Sequence, residues 1–317
     1  MVLIFRDYHE CNRSYEEVID WLIAKKTDIE FHFGKDFYNG NKEMNLEIVD
    51  DKEENSENRT ENSIWFRGFL RHRIFSSKLF KDVESTNDNI GELRWRLGIE
   101  INKVNKRFFQ KFDKYYQLPK ISSISIDKFD TLELAKKTGL EIPRSLITNS
   151  KKALQNFQDK HSRIISKSLY ETVYFKEDDQ VFFYKTEIIT QKMIDHSSDF
   201  FFPSFFQEYI DKDIELRVFF LNNDFYSMAI FSQLDEQTAT DFRRYNELNP
   251  NRNVPYKLSD GIECKLRSLM QKLSLNTGSI DLIRTPDGRY VFLEVNPTGQ
   301  FGFVSKPCNY YLEPEFD

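Results

Sequence analysis

Residues 279–300, SIDLIRTPDGRYVFLEVNPTGQ, read as two apolar strands around a turn, and no other stretch constrains the fold as much. TPDG supplies the turn, with Pro286 second and Gly288 fourth. The strands nevertheless carry Asp281, Glu294 and Asn296. Asp and Asn are disfavoured inside strands, and carboxylates are rarely buried without a partner. A loop of two or four residues puts Asp281 and Glu294 on one face, and a loop of three puts them on opposite faces. Asn296 shares the face of Glu294 in either case. On a common face these groups repel unless a cation sits between them. An all-oxygen set favours Mg2+ over zinc, completed by water and phosphate oxygens. The plain alternative is an exposed acidic hairpin, which the apolar run YVFLEV argues against.

A chain of 317 residues suits two or three packed subdomains. The 30 phenylalanines favour buried sheets. A net charge of −6 argues against a general nucleic-acid binder, because phosphate affinity needs a basic field. Cys11, Cys264 and Cys308 lie far apart with no CxxC, which fits free thiols in a reducing cytoplasm rather than a disulfide or zinc framework. The run VLIF stops at Arg6 and Asp7, too short for a signal peptide, and nothing approaches the roughly 18 apolar residues of a membrane helix. The expected location is therefore cytoplasmic.

A strand at 1–6, a helix at 14–26 with Ser14 as N-cap and Glu17 three later, and the strand EFHFG open an α/β domain. Residues 40–63 are charge-rich and read as a solvated loop or a mobile hairpin, not a site. SIWFRGF returns to a strand pattern, and 88–116 is helical. DKFDTLELAKKTGL reads as a helix closed by Gly139 in the left-handed conformation. EIPRSLITN, a helix at 150–160, and the strands RIISKSL, QVFFYKTEIIT, SFFQEYI, ELRVFFLNN and DFYSMAIFSQ follow. Residues 235–258 hold no periodic run and read as a long loop; 260–273 reads as a helix.

No GxxxxGK or GxGxxG occurs, and 11 glycines leave little material for a Gly-rich phosphate cradle. Phosphates would then be held by side-chain cations. Lys167, in the strand RIISKSL, needs an anion; Lys128, before the LELAKK helix, is a second candidate. Glu208, Tyr209 and Ile210 read as a connector whose backbone groups meet a planar base, and Glu215 as an acceptor for ribose hydroxyls. Arg217 shares the strand face of Glu215, so a Glu215–Arg217 surface pair is the plain alternative. FFFPSFF at 200–206 reads as core, in part lining the base pocket. The histidines show no paired ligand spacing, and Cys308 reads as packed rather than nucleophilic.

A lysine before a helix, SK in a strand, QEYI, ELR, then Asp281, Glu294, Asn296 and Pro297 in D-(12 residues)-E-x-N-P resemble the ATP-grasp superfamily over roughly residues 120–300. The stretches IPRSLITN, FQEYIDKDIELRV, TDFRRY and IDLIRTPDGRYVFLEVNPTGQFGFV are similar to the graspetide ligases, macrocyclases of ribosomally made peptides of the microviridin type. The tail KPCNYYLE is similar to their grasp-with-spasm peptide maturases, while the N-terminal part matches best at SIWFRGF. The tryptophan of the family's DWR motif is Phe242 here, with Asp241 and Arg243 in place.

The resemblance implies an ATP-grasp fold of the α/β (α+β) class. It would have an N-terminal domain at 1–119, a central subdomain at 120–208 and a C-terminal subdomain at 209–317. It implies ATP and Mg2+ as cofactors, with Lys128 and Lys167 on phosphates, Glu208, Tyr209 and Ile210 on adenine, and Glu215 on ribose. Asp281, Glu294 and Asn296 would be metal ligands. A side-chain carboxylate of a precursor peptide, with its leader and core, would become an acyl phosphate. Thr or Ser would attack to give an ester, or Lys an amide. Anionic carboxylate and triphosphate meet only with added positive charge. Arg217 and Arg243 are assigned to the transferring phosphoryl and the acyl phosphate, Asp241 counts with them as catalytic, and Arg284 and Arg67 are further candidates for the substrate carboxylate. The loop 235–258 is expected to close over the intermediate. A homodimer is expected, with no nucleic acid and no membrane. Addition of a free amino acid to a protein or peptide is the alternative reading, and a non-catalytic ATP- and peptide-binding protein the third.

Overall fold

In the computed structural model the apolar run Val2–Arg6 forms β1, buried at every position. It lies between Ile29–Phe33 (β2) and Ser63–Phe66 (β3), parallel to both, and Tyr116–Leu118 (β4) continues the sheet in the order β2-β1-β3-β4. A strand with parallel neighbours on both sides is covered on both faces, so its sequence reads as an unbroken apolar run. The structure describes residues 1–7, 13–38, 40–46, 62–69, 89–169, 174–177, 180–183, 186–234 and 250–316. They divide into one compact unit of Met1–Ser125 with Ser274–Thr277 and Tyr311–Asp317, and a second of Ile126–Leu273 with Gly278–Tyr310.

In the first unit, Arg13–Ala24 (α1) buries Val18, Ile19 and Leu22 as one stripe. It starts one residue before Ser14, so Ser14 falls within the first turn rather than before it; helix ends are the least determined part of a pattern. Gly34–Tyr38 (α2) follows β2, and Asn89–Gln110 (α3) is the helix expected at 88–116. Phe5 sits at the centre of an aromatic core, with its ring edge-on to Phe69 at 5.2 Å and Phe109 at 5.0 Å. The C-terminal turn Glu313–Phe316 returns to this unit, where Phe316 meets Trp65 at 5.7 Å. Most of the polar stretch at 40–63 lies outside the described residues.

The second unit opens with Lys128–Lys137 (α4). Asp127 caps it, its Oδ1 accepting from the amides of Phe129 (2.8 Å) and Asp130 (3.0 Å). Lys128 is therefore the first helical residue and not a residue before the helix. Gly139, at φ +84°, ends the helix: its amide reaches the Lys136 carbonyl and the Leu140 amide the Ala135 carbonyl.

Two antiparallel sheets follow. Ser145–Ser150 (β5), Ile164–Ser166 (β6), Glu187–Ile189 (β9) and Phe200–Glu208 (β10) form one in the order β5-β10-β6-β9. Between β6 and β9, Tyr174–Glu177 (β7) and Gln180–Phe183 (β8) form a separate hairpin. Lys151–Lys160 (α5) and Gln191–His196 (α6) contribute Leu154 and Ile194, which pack on Ile164 and Phe206. Ile214–Leu221 (β11), Asp224–Phe231 (β12), Arg252–Tyr256 (β13), Thr277–Arg284 (β14) and Tyr290–Asn296 (β15) form the other sheet, ordered β13-β12-β11-β14-β15. Asp260–Lys272 (α7) buries Leu266, Leu269 and Met270. Gly302–Cys308 (α8) closes the unit.

Two expectations change here. Residues 252–256, read as loop, are an edge strand paired with β12, with Pro255 opposite Met228. Proline cannot complete a central ladder, so its presence hid a strand that the sheet edge tolerates. The run FFFPSFF is only partly core: Phe205 and Phe206 are buried, but Phe200 and Phe202 are exposed. The reason is pairing: β6 covers only Phe206–Glu208 of β10, and the register against β5 shifts between Phe200 and Ser204.

Cys308 is buried in α8, and burial pushes its thiol up to about 11, whereas Cys264 is exposed. Thiols react as thiolates. At about pH 8 the exposed Cys264 should therefore be alkylated, while Cys308, buried and held as a thiol, is labelled only after denaturation. Peptide-level mass spectrometry reads both sites, and equal labelling of the native protein would contradict this packing.

Candidate active site

The turn of the terminal hairpin has an odd count. The Thr285 amide donates to the Arg289 carbonyl at 2.9 Å, which leaves Pro286, Asp287 and Gly288 at the tip, with Gly288 at φ +85°. Strand alternation alone would then send Asp281 and Glu294 to opposite faces. They are instead directly opposed, because the register slips between Asp281 and Leu282: Leu282 pairs with Phe292 and Asp281 with Glu294. Leu293 is the extra residue of a β-bulge, and both Leu293 and Glu294 line the same cleft as Asp281 and Ile283.

Each opposed carboxylate has a cation of its own. Arg217, on β11, reaches both oxygens of Asp281 through Nη1 at 2.7 Å. Lys128, at the start of α4, lies 2.9 Å from Glu294 Oε2. Glu215 and Arg217 are not a surface pair, because Glu215 is buried and accepts from Lys212 at 2.5 Å and Ser232 at 2.6 Å. Asn296 shares the strand face of Glu294, but it is exposed, does not line the cleft, and its Oδ1 accepts from the Thr298 amide and hydroxyl.

The far wall of the cleft is the end of β6 and β10. Lys167 follows β6 by one residue and lines the cleft, its Nζ 6.0 Å from the centre of the Phe205 ring. Glu208, Tyr209 and Ile210 line it as well. The Glu208 amide donates to the Arg144 carbonyl at 2.9 Å, and its carboxylate accepts from the Arg144 amide at 2.7 Å. The other Glu208 oxygen lies 3.3 Å from His161 Nδ1. The Tyr209 amide donates to the Arg163 carbonyl at 2.9 Å, while the Arg163 guanidinium stacks on the Tyr209 ring at 4.1 Å and pairs with Asp211. Burial pushes the Tyr209 hydroxyl above its ordinary value, against the opposing charge of Arg163. Among the described residues the Ile210 amide donates to no other group.

The cleft thus gathers Lys167, residues 208–210, Glu215, Asp281 and Glu294, with Lys128 and Arg217 on its carboxylates. It does not gather Arg284, which lies on the opposite strand face and pairs with Asp213. Asp241 and Arg243 lie outside the described residues, as does most of the loop at 235–258. Arg67 belongs to the first unit, where it stacks on Tyr15 at 4.2 Å. The residue that the sequence reading missed is Lys212. Its setting, DKD, resembles a solvated loop, and only its three-residue spacing to Glu215 hints at a pair.

Charge decides what the cleft can hold. Lys128, Lys167, Lys212 and Arg217 stand against Glu208, Glu215, Asp281 and Glu294, so the balance is close to neutral. A triphosphate added to it needs further positive charge. Among the described residues no three His, Cys, Asp or Glu side chains converge on one metal position. The directly opposed Asp281 and Glu294 supply hard oxygen donors, a set that suits Mg2+ completed by phosphate and water. The residues fit such an ion.

Residues 125–311 match the model of the RimK-like ATP-grasp domain. The chain belongs to that family. Several solved ATP-grasp structures are similar to it over nearly all of their length. Macrocyclase MdnC of Microcystis aeruginosa MRC, bound with precursor peptide MdnA, is 23% identical with a TM-score of 0.72, covering 96% of this chain and 94% of that one. A RiPP-associated ATP-grasp ligase of Chryseobacterium gregarium, in complex with ADP and a leader and core peptide, is 20% identical with a TM-score of 0.77, covering 99% and 95%. The ATP-grasp ligase PsnB, complexed with minimal precursor, Mg and ADP, is 16% identical with a TM-score of 0.73, covering 99% and 94%. No curated protein matches the chain. At these identities the likeness is one of fold, and the fold is ATP-grasp, an α+β arrangement with antiparallel sheets. In ATP-grasp terms, the cleft lies wholly within the second unit, among residues that the family model spans.

The pairing of Asp281 predicts a stability effect. Arg217→Ala strands a mostly buried carboxylate and should cost about 3 kcal/mol. Asp281→Asn in the same chain should recover part of that loss, so a double-mutant cycle by denaturant unfolding should give a coupling of about 1–3 kcal/mol. Additive losses would mean that the pair is not formed in solution. Gly299→Ala should also destabilise, by about 1–3 kcal/mol, because a Cβ there meets Ser279 Oγ at 2.7 Å and the Ser279 amide nitrogen at 2.9 Å. A melting temperature equal to wild type would show that the turn after Asn296 is looser than described.

Proposed function

We propose that this chain is an ATP-dependent ligase that installs intramolecular side-chain crosslinks in a ribosomally made precursor peptide. The observation that carries the reading is one cleft of an ATP-grasp unit to which five strands, β6, β10, β11, β14 and β15, bring a lysine, a backbone connector, an acceptor carboxylate and two opposed carboxylates. The likeness in fold to peptide macrocyclases supports the substrate class. In this reading the adenine meets the backbone of Glu208, Tyr209 and Ile210, the ribose meets Glu215, and Lys128 and Lys167 meet phosphates. Asp281 and Glu294 would hold the divalent ion, with Asn296 as a further oxygen donor, and the ion would supply positive charge at the phosphates.

A side-chain carboxylate of the peptide attacks the terminal phosphorus of ATP and releases ADP. A hydroxyl or amine of the same peptide then attacks the acyl carbon, inorganic phosphate leaves, and the proton of the nucleophile departs with it. The peptide loses the elements of one water for each ester or amide. Arg217 lies beside Asp281, within one strand of the ion site, where a guanidinium stabilises transferring phosphoryl charge. Arg243 and Asp241 are proposed for the same step. The division at residues 119 and 208, a homodimer, a leader-and-core precursor and a cytoplasmic location belong to the same proposal.

Intact mass spectrometry tests it. With ATP, Mg2+ and the acidic, Thr- or Lys-containing peptide encoded beside the gene, the peptide should lose one water per crosslink, and Glu294→Gln should abolish the loss while the protein stays folded by circular dichroism. ATP-dependent mass gain with free amino acids would instead assign an amino-acid ligase. Turnover by Glu294→Gln at the wild-type rate would remove Glu294 from the ion site.

A further inference from the structure

The cleft contains an ion pair that its chemistry does not obviously require. Lys212 is 8% exposed, Glu215 7% and Ser232 0%, yet Lys212 and Glu215 both line the cleft. Lys212 Nζ lies 2.5 Å from Glu215 Oε1, and Ser232 Oγ lies 2.6 Å from the same oxygen. These residues come from three places: the connector before β11, β11 itself, and the turn Ser232–Leu234 after β12. A buried ion pair adds little net stability, because desolvation offsets its attraction. Its value lies in geometry. Two short hydrogen bonds on one oxygen fix both the rotamer and the plane of a carboxylate, so its acceptor directions are set before a ligand arrives.

We propose that Lys212 and Ser232 are positioning residues that hold Glu215 as a pre-set reader of ribose hydroxyls, and that they make this cleft selective for ribonucleotides over deoxyribonucleotides. The inference rests on the reading of the cleft as a nucleotide site with Glu215 at the ribose. Neither residue touches the nucleotide in this account; each acts through the carboxylate. A site built to bond a hydroxyl disfavours the analogue without it, because one charge-assisted hydrogen bond is then not made. If the acceptor is no longer held, that selectivity falls even where the nucleotide still binds.

The test is direct titration of nucleotide with the full chain and Mg2+, without peptide, by calorimetry. It compares ATP with 2′-deoxy-ATP and 3′-deoxy-ATP. The wild type should bind one of the deoxy forms about ten- to a hundredfold more weakly, the range of a hydrogen bond to a charged group. Lys212→Met and Ser232→Ala should both reduce that ratio to within about threefold of unity, and Lys212→Arg should restore part of it, being a cation of similar reach. A merely structural pair would lower the melting temperature in Lys212→Met but leave the ratio at the wild-type value; that result overturns the proposal. Should Lys212→Met fail to fold, Ser232→Ala carries the comparison, since it removes one donor and no charge. A wild type that binds all three nucleotides equally also overturns the proposal while leaving the ligase reading intact. A wild type that binds none of them overturns both.

Discussion

Two carboxylates facing each other across a strand pair cannot both stay ionised without compensating charge, and the cleft is organised around that constraint. Asp281 and Glu294 are opposed by a bulge, and Arg217 and Lys128 meet one of them each. The two cations come from different elements, a neighbouring strand and the first turn of a helix more than 150 residues away in sequence. Strand β11, helix α4 and the terminal hairpin are therefore tied by charge as well as by packing. The same arrangement sets the terms for a divalent ion. Such an ion would compete with Arg217 and Lys128 for these oxygens, and a displaced side chain would become available to phosphate.

The opposite wall works by backbone rather than charge. Glu208 spends its carboxylate and its amide on Arg144, and Tyr209 spends its amide on Arg163. The connector is thereby pinned to two neighbouring segments before any ligand is present. The stack of Arg163 on Tyr209 adds a rigid outer layer. A flat ligand held against such a connector loses little freedom that the protein must also lose, which favours binding.

Much of this was legible in the sequence. Strand and helix order followed from periodicity, and the motifs from Lys128 to Asn296 indicated an ATP-grasp fold and the strands that build the cleft. What stayed hidden is instructive. Strand β13 was hidden by Pro255, since composition does not say which strand lies at a sheet edge. The exposure of Phe200 and Phe202 depended on how far β6 runs along β10, a tertiary matter invisible to local pattern. Lys212 sat among charged neighbours and looked like surface. The partners of Arg217 could not be chosen between Glu215 and Asp281 from spacing, because one is near in sequence and the other only near in space. Arg284 was assigned to the substrate without regard to its strand face, and parity within β14 turns it away from Asp281.

Leu293 gives the hairpin a property that its sequence alone conceals. The tip Pro286–Asp287–Gly288 has an odd number of residues, and the bulge supplies the one-residue offset that brings Glu294 opposite Asp281. Turn length and bulge are therefore a matched pair, like two half-steps that sum to a whole one. Shortening or lengthening the tip by a single residue leaves the acidic pair aligned only if the bulge disappears at the same time. Either change alone rotates one carboxylate to the far side of the sheet, without altering a single residue of the motif.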